Sequence, residues 1–581
     1  MSSVCFDNQE KAVQAAGDNR RYKLTRLVCW SVCIGFAFLE AWSGRHFTNP
    51  DGIAYLDMSD ALLKHNWHLL INPLWSPLYP FLIGVATWLT RPSAQWELPI
   101  VHVVNLVIFL GALASFEFLM RQVICVLGRR NEHLDADSTV PLPVWMWQLL
   151  GYSLFVWSTF GLIWAPRMVT PDLCVAMFVY LDAGIVLRLR TSSKKSRTCL
   201  LLGLTLGLGY LAKAILFPMA FVFMVVALLV IGEWRKAVCP LAMTLFLFSA
   251  IATPLFIGIS QKVGYPSYSE AGNFNYAGHV NGGSESFYPS SQSACLKHPM
   301  NILYRHPDVF SFRESLVSTY PLYFDAQYWE AGTKIEFDPR SQLSAIRRNT
   351  SFYFAMPLVT MWGLIGAGGI LLMISGNRRG SIQYLLSGWT LLTPGIVGIC
   401  AYLLVWVEPR YVAPFITLVL LGLFPTILIR KTANAAKRST ITIIAIAGSM
   451  TLLTLLVLIH RGISDPVFWA RGGYDQAAEV LNEEGLHPGE NTAVIGSGAE
   501  GMIWARLARV RIVAQIPPED ANDFWRASAP RTKAEVYDAF VRAGARAVVT
   551  EETPPDVGFA DWQRVGNTRY FVHFLAQPRS E

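Results

Sequence analysis

Apolar runs of bilayer-crossing length recur from residue 27 to residue 460, and no other feature limits the fold of this chain as severely. A hydrocarbon core about 30 Å thick needs roughly 17 to 25 residues of helix, because no water inside it can satisfy an open backbone group. A chain built this way is a polytopic α-helical membrane protein. Only 15% of its 581 residues are charged and 53% are hydrophobic, which excludes a soluble globular class.

The net charge of +7 raises the question of nucleic acid, but the basic residues form short clusters between apolar runs rather than one stripe. That is the positive-inside pattern. Arg20, Arg21, Lys23 and Arg26 precede the first run without a small-residue cleavage site after it, so an uncleaved first helix is expected, with residues 1–26 as a cytoplasmic tail. Most of the nine cysteines lie in or beside apolar runs, and no exterior disulfide framework is expected.

Alternating the runs by flanking charge predicts spans at 27–44, 99–120, 144–165, 173–187, 200–213, 215–231, 237–260, 352–375, 383–407, 412–429 and 441–460. That makes about eleven. Segment 75–89 contains Pro77 and Pro80, and the charge count works only if it does not cross fully. Two exterior loops follow, 45–74 and 261–351, the first holding an amphipathic helix expected to lie in the membrane interface. From 461 to 581 charge rises and short elements alternate, which predicts a small exterior α/β domain.

Four separated stretches put ionisable groups at the same expected face. They are Asp51, Asp57 and Asp60 in the first loop, Arg167 and Asp172 in 165–172, Lys213 at the end of 209–213, and Glu408 with Arg410. Charge at a bilayer edge costs enough to suggest a site. Each residue also has a bland reading. Asp51 after Pro50 suits a helix N-cap, Asp57 and Asp60 suit the wet face of an interfacial helix, and Lys213 and Arg410 suit snorkelling to headgroups. The bland readings account for each residue but not for their common side.

Asp51-Gly52-Ile53-Ala54-Tyr55 followed by Pro77-Leu78-Tyr79-Pro80 resembles the first exterior loop of the GT-C class of membrane glycosyltransferases, which includes protein O-mannosyltransferases and lipid A aminoarabinose transferases. Thr170-Pro171-Asp172 resembles their second acidic site, Tyr210-Leu211-Ala212-Lys213 a helix end carrying a basic residue, and Glu408-Pro409-Arg410-Tyr411 a late Glu-Arg-Tyr element. The resemblance covers 27–460. It implies inverting transfer of a sugar from a polyprenyl-phosphate donor to a glycan, lipid or protein acceptor on the non-cytoplasmic face of a membrane, as in cell-envelope glycosylation.

On that resemblance Asp51 serves as general base and Asp172 helps to orient the acceptor, while Lys213 and Arg410, with Arg167 as a third cation, hold the leaving phosphate. Tyr55, Asp57 and Glu408 complete the expected binding set. Gly52 stands where many relatives carry Glu, so the loop lacks an adjacent acidic pair, and no cofactor is firmly implied; a divalent metal would have to do without that pair. The rival function is a transporter or flippase of lipid-linked sugars, which needs the cations but no base. A third reading makes the C-terminal domain a receptor or assembly module on a membrane anchor.

Gly496-Ser497-Gly498-Ala499-Glu500-Gly501 imitates a dinucleotide fingerprint, with the tight turn of an α/β domain as its plainer reading. His65, His68, His279, His298 and His306 have no ligand-like spacing. The aromatic stretch 265–288, with Asn273, Asn275 and Asn281, suits either a cover over a sugar site or a loop resting on the membrane.

Overall fold

The computed structural model describes residues 19–131, 139–140, 142–281, 300–312, 318–324, 335–360, 387–427, 429–430, 433–496, 499–526, 530–555 and 561–576. Its helices, in chain order, begin with α1 (Asn19–Ser43), α2 (Pro50–Leu63), α3 (Trp67–Leu70), α4 (Leu78–Thr90) and α5 (Ala94–Asn131). Next come α6 (Val144–Val156), which runs into a π-helical turn at Trp157–Leu162, then α7 (Asp172–Leu189), α8 (Lys195–Ala212), α9 (Leu216–Ile231) and α10 (Trp234–Val263). They are followed by α11 (Ala271–His279), α12 (Pro321–Phe324), α13 (Pro339–Thr360), α14 (Trp389–Leu403), α15 (Pro409–Leu423) and α16 (Ala433–Gly472). Four short helices close the chain: α17 (Tyr474–Glu483), α18 (Ile503–Leu507), α19 (Pro518–Arg526) and α20 (Pro530–Arg542).

Among the described residues five helices are long and apolar enough to cross a bilayer: Arg20–Ser43, Ala94–Leu127, Trp234–Val263, Pro409–Thr426 and Lys437–Ser464. Their outward faces carry exposed Leu27, Phe38, Val107, Phe246, Leu452 and Leu456, a surface that water would not tolerate and lipid does. The chain is an integral membrane protein. The expected span 352–375 lies mostly outside the described residues, and α9 and α14 are shorter, with 16 and 15 residues.

Close helix approach follows from small residues. A Cβ on Gly203 in α8 would sit 2.5 Å from the Thr244 carbonyl oxygen of α10, so only glycine lets these two backbones meet. Helix α4 has 13 residues, about 20 Å, which falls short of the hydrocarbon thickness.

Two sequence expectations need correction here. Helix α2 does not lie in the interface with one wet face: Ile53, Ala54 and Met58 are wholly buried and Asp57 is 4% exposed. Neighbouring α4 packs on one side of it, and α12 and α18 on others, so the amphipathic pattern marks a buried helix with charged partners. The boundary expected at residue 461 falls inside α16, which continues unbroken to Gly472.

The sheet also draws on two distant parts of the chain. Strands β1 (Thr139–Val140) and β4 (Ile429–Arg430) form a small antiparallel pair by themselves. The larger sheet contains β2 (Met300–Tyr304), β3 (Val309–Phe312), β5 (Asn491–Ile495), β6 (Arg511–Ile516), β7 (Ala547–Thr550), β8 (Gln563–Arg564) and β9 (Phe571–Phe574), in the order β2-β3-β6-β5-β7-β9-β8. Central β5 is parallel to β6 and β7, and the flanking pairs are antiparallel. Loop 261–351 therefore supplies two strands to the sheet, Phe310 pairing with Gln515. One face buries Ala493, Ile495, Ile516 and Val548 against Phe524 of α19 and Val536 and Phe540 of α20.

In the glycine-rich stretch after β5, Gly496 takes φ +67°, and a single 3₁₀ turn at Ala499–Met502 runs into α18, a helix of five residues. Ser497 and Gly498 lie outside the described residues.

Candidate active site

Four chain segments end at one cluster. Pro50 sits at the first position of α2, where its fixed φ suits a helix start and its missing N–H costs nothing. Asn49 holds the N-cap position but does not cap its own helix; its side-chain oxygen accepts the Val169 N–H at 3.0 Å. Asp51, one residue further in, is therefore not the cap. Its Oδ2 receives Nη2 of Arg410, at the start of α15, at 3.0 Å.

Gly52 is required by this docking. A Cβ there would lie 2.2 Å from Thr48 Oγ1 and 3.0 Å from Val169 Cβ. Any side chain at this place must push Thr48 and Val169 aside, which loosens the docking of α2 on the loop before Asp172.

Asp172 opens α7, and the loop before it is held from several sides. Asn105 Nδ2 of α5 donates to the carbonyls of Pro166 at 2.9 Å and Met168 at 3.0 Å, and the His102 ring reaches Pro166 O and Phe47 O. Trp164 takes a left-handed φ of +58°, a conformation that costs a non-glycine residue on the order of 1 kcal/mol or more. Arg461 of α16 covers its ring at 4.0 Å. Strain beside a π-helical turn is common at functional sites.

Asp172 is saturated with donors. Lys213 Nζ lies 2.5 Å from Oδ1, Thr170 Oγ1 donates to Oδ2 at 2.9 Å, and Arg410 Nη1 stands 3.7 Å from Oδ2. Lys213 takes extended backbone at the end of α8, and its ammonium lies 3.7 Å from the centre of the Tyr411 ring, which stacks on Tyr402 at 5.4 Å. Tyr55 forms a buried floor, packed edge-on against Trp75 and Tyr79 at 5.1 and 5.3 Å. Glu408 is at the rim, accepting from Trp406 Nε1 at 3.2 Å, and Trp406 in turn stacks on His279 at 4.0 Å.

Exposure sorts the members. The Asp172 side chain is 2% exposed, against 27% for Asp51, 23% for Lys213 and 18% for Arg410. Two cations face two carboxylates, and Arg410 bridges both acids.

Two expected members are elsewhere. Arg167 is buried beside Glu40 of α1, 3.6 Å from its Oε2, with its guanidinium over Phe47 at 4.7 Å. Glu40 also receives Arg461 at 3.2 Å, so this arginine braces the loop from behind instead of facing the cluster.

Asp57 belongs to a second node. Arg506 of α18 donates Nη1 to Asp57 at 3.0 Å and Asp60 at 2.6 Å, and Nη2 to Glu97 of α5 at 2.5 Å. Asp57 also accepts the N–H and hydroxyl of Thr319, both at 2.8 Å. Sequence reasoning missed Arg506, Glu97 and Glu40. Only Glu40 carried a signal, as an ionisable group inside an apolar run.

The first cluster does not suit a divalent cation. Both its carboxylates are already met by ammonium and guanidinium groups, and no three His, Cys, Asp or Glu side chains gather as ligands among the described residues.

No family model matches this chain, and no curated protein matches it. Solved structures do. It is similar to an oligosaccharyltransferase of Archaeoglobus fulgidus in complex with zinc and sulfate, at 13% identity over 90% of this chain and 67% of that one, with a TM-score of 0.44. It is likewise similar to ArnT of Cupriavidus metallidurans bound to undecaprenyl phosphate, at 13% identity over 97% of this chain and 100% of that one, with a TM-score of 0.43. What this cluster can do is decided by its own side chains.

Proposed function

We propose that the chain is an inverting membrane glycosyltransferase that moves a sugar from a polyprenyl-phosphate donor to an acceptor on the non-cytoplasmic face. The observation that carries this reading is the convergence of Asp51, Asp172, Lys213 and Arg410 from four remote segments on one partly open cluster.

The helices that deliver the cluster support this side of the membrane. Asp172 opens α7, which carries Arg188 in its last turn, and Lys213 is the C-cap of α8, which begins at Lys195. Along each helix these charges are about 24 to 27 Å apart. The basic ends, with Arg235, Lys236, Lys437 and Arg438 on neighbouring helices, suit the cytoplasm and leave the cluster on the other face. About eleven spans, a cytoplasmic N-terminus and a sheet outside the cytoplasm complete this arrangement.

Asp51 has the exposure a general base needs. It takes the proton of the acceptor hydroxyl as that oxygen attacks the anomeric carbon, and the bond from that carbon to the phosphate oxygen breaks with its electron pair leaving on the lipid phosphate. Lys213 and Arg410 meet the growing charge from fixed positions. Asp172, buried and saturated, holds these two cations in place and does not reach an acceptor. An arriving phosphate competes with Asp51 for Arg410, which frees the carboxylate as the donor docks.

A transporter would need the cations alone. Replacing Asp51 with Asn separates the two: transfer measured in lipid nanodiscs, with total native membrane lipid as source of donor and acceptor, should fall by about a hundredfold or more. Binding of undecaprenyl phosphate should persist. Transfer at the wild-type rate by Asp51→Asn sinks the proposal.

A further inference from the structure

Helix α2 carries charge on two sides. Asp57 and Asp60 are three residues apart and share a face, whereas Asp51 lies roughly 180° around the helix from Asp60 and about 14 Å away along its axis. One side is met by Arg410 of α15, and the other by Arg506 of α18 and Glu97 of α5. The helix is therefore gripped from opposite sides by two ionic nodes.

The Arg506 node is closed to solvent. Side-chain exposure is 5% for Arg506, 2% for Asp57 and 4% for Glu97, with only Asp60 reaching 31%. Three carboxylates converge on one guanidinium, and Glu97 Oε2 and Arg506 Nε have no hydrogen-bond partner. Such a node is a poor way to gain stability, since apolar side chains of the same volume do as well or better. What it supplies is direction. A planar fork satisfies three acceptors in one geometry only, and it ties α2 to α5 and to the sheet at once.

The tie to the sheet is continuous. Thr319 grips Asp57 with its N–H and hydroxyl, and its own carbonyl accepts the N–H of Ile512 in β6 at 2.9 Å. Asn72, just beyond α3, donates to Phe324 O at 2.6 Å from the same loop segment.

We propose that Arg506 is a positioning residue for Asp51: through Asp57 and Asp60 it fixes the rotation of α2 about its axis, making the C-terminal sheet unit an obligate part of the transfer site. This rests on the reading of Asp51 as the base. The base must stay within hydrogen-bond reach of the acceptor hydroxyl, and misplacement by about 1 Å costs up to a hundredfold in rate. The two cations that hold phosphate stand at the end of α8 and the start of α15, where Asp172 of α7 holds both even when Asp51 moves.

The test uses the full-length protein in nanodiscs, total native membrane lipid at saturation as the source of donor and acceptor, and undecaprenyl phosphate as the binding probe. Arg506→Lys keeps the charge but loses the fork. Its turnover number should fall between about tenfold and a hundredfold, with the Kd for undecaprenyl phosphate and the melting temperature near wild type. A second protein carrying Asp57→Asn, Asp60→Asn, Glu97→Gln and Arg506→Met removes the node without leaving buried charge unpaired, and should show the same split.

Wild-type turnover in either variant overturns the positioning role and leaves the site reading intact. So does a loss of lipid binding or of folding in both, which would make the node a plain structural support. No turnover by wild type defeats the site reading itself, and the positioning role falls with it.

Discussion

The two ionic nodes on either side of α2 are built from the same kinds of side chain and differ in balance and access. At Asp51 two acids meet two bases, and three of the four groups touch solvent. At Arg506 three acids meet one base, and only Asp60 is appreciably open. A balanced, accessible cluster can release a charge to a ligand, because an arriving anion replaces one partner with another. The closed cluster has no such exchange available, and its charges hold elements together.

The largest effect on this contrast is expected from Gly52→Glu, which creates an adjacent acidic pair with Asp51. The clash with Thr48 and Val169 should push α2 off the loop before Asp172 and abolish transfer, and Gly52→Ala alone should cost about 1 to 3 kcal/mol of thermal stability. An active Gly52→Glu protein breaks the account of why glycine stands there. Next comes Arg410→Lys. One ammonium cannot bridge Asp51 and Asp172, so kcat/KM should fall about tenfold to a hundredfold, about 1.4 to 2.7 kcal/mol, with folding intact. An unchanged kcat/KM would show that the bridge is dispensable.

The closed node should respond to pH instead. Burial pushes the Asp57 carboxyl up to about 6 from an ordinary 3.8, although the Arg506 guanidinium opposes the rise; Asp60 adds to it, and the Thr319 hydrogen bonds oppose it. Burial raises Asp60 as well, but Arg506 outweighs it, with help from Lys64 and Arg509, and holds that carboxyl below its usual range. Glu97 faces the same guanidinium.

A carboxyl raised on folding stabilises the folded form fully below about pH 4, and the stabilisation is lost as pH climbs through about 6. Its size is on the order of 3 kcal/mol. Amide protection factors in β6, with the intrinsic pH dependence of exchange divided out, should therefore be higher at pH 5 than at pH 7.5, and Asp57→Asn should flatten the difference. Equal protection in wild type at the two pH values removes Asp57 as the cause. The smallest effect belongs to Glu408→Gln at the rim, which keeps the Trp406 contact and should change kcat by less than about threefold. A large loss there would move Glu408 into the reacting set.

Deletion of the C-terminal region does not separate an enzyme from an anchored receptor module. The sheet grips α2 through Arg506 and Thr319, so an enzyme too should lose activity without it.

Asp51, Asp172, Lys213 and Arg410 were legible because each ends an apolar run, and alternation across a bilayer puts alternate run ends on one face. Arg167 satisfied the same rule and still turned away, since the buried Glu40 behind it offers a closer partner. Asp57 was read as wet because its covering elements come from residues 318–324 and 503–507, hundreds of positions away.

Hydrophobic run length and flanking charge act locally, and from them the chain by itself determined that it is a membrane protein and which charged groups share a face. Only the tertiary structure decided which of those groups meet. Partner choice between charges depends on distances of a few ångströms and on who excludes water, and both are set by contacts between segments that no local pattern records.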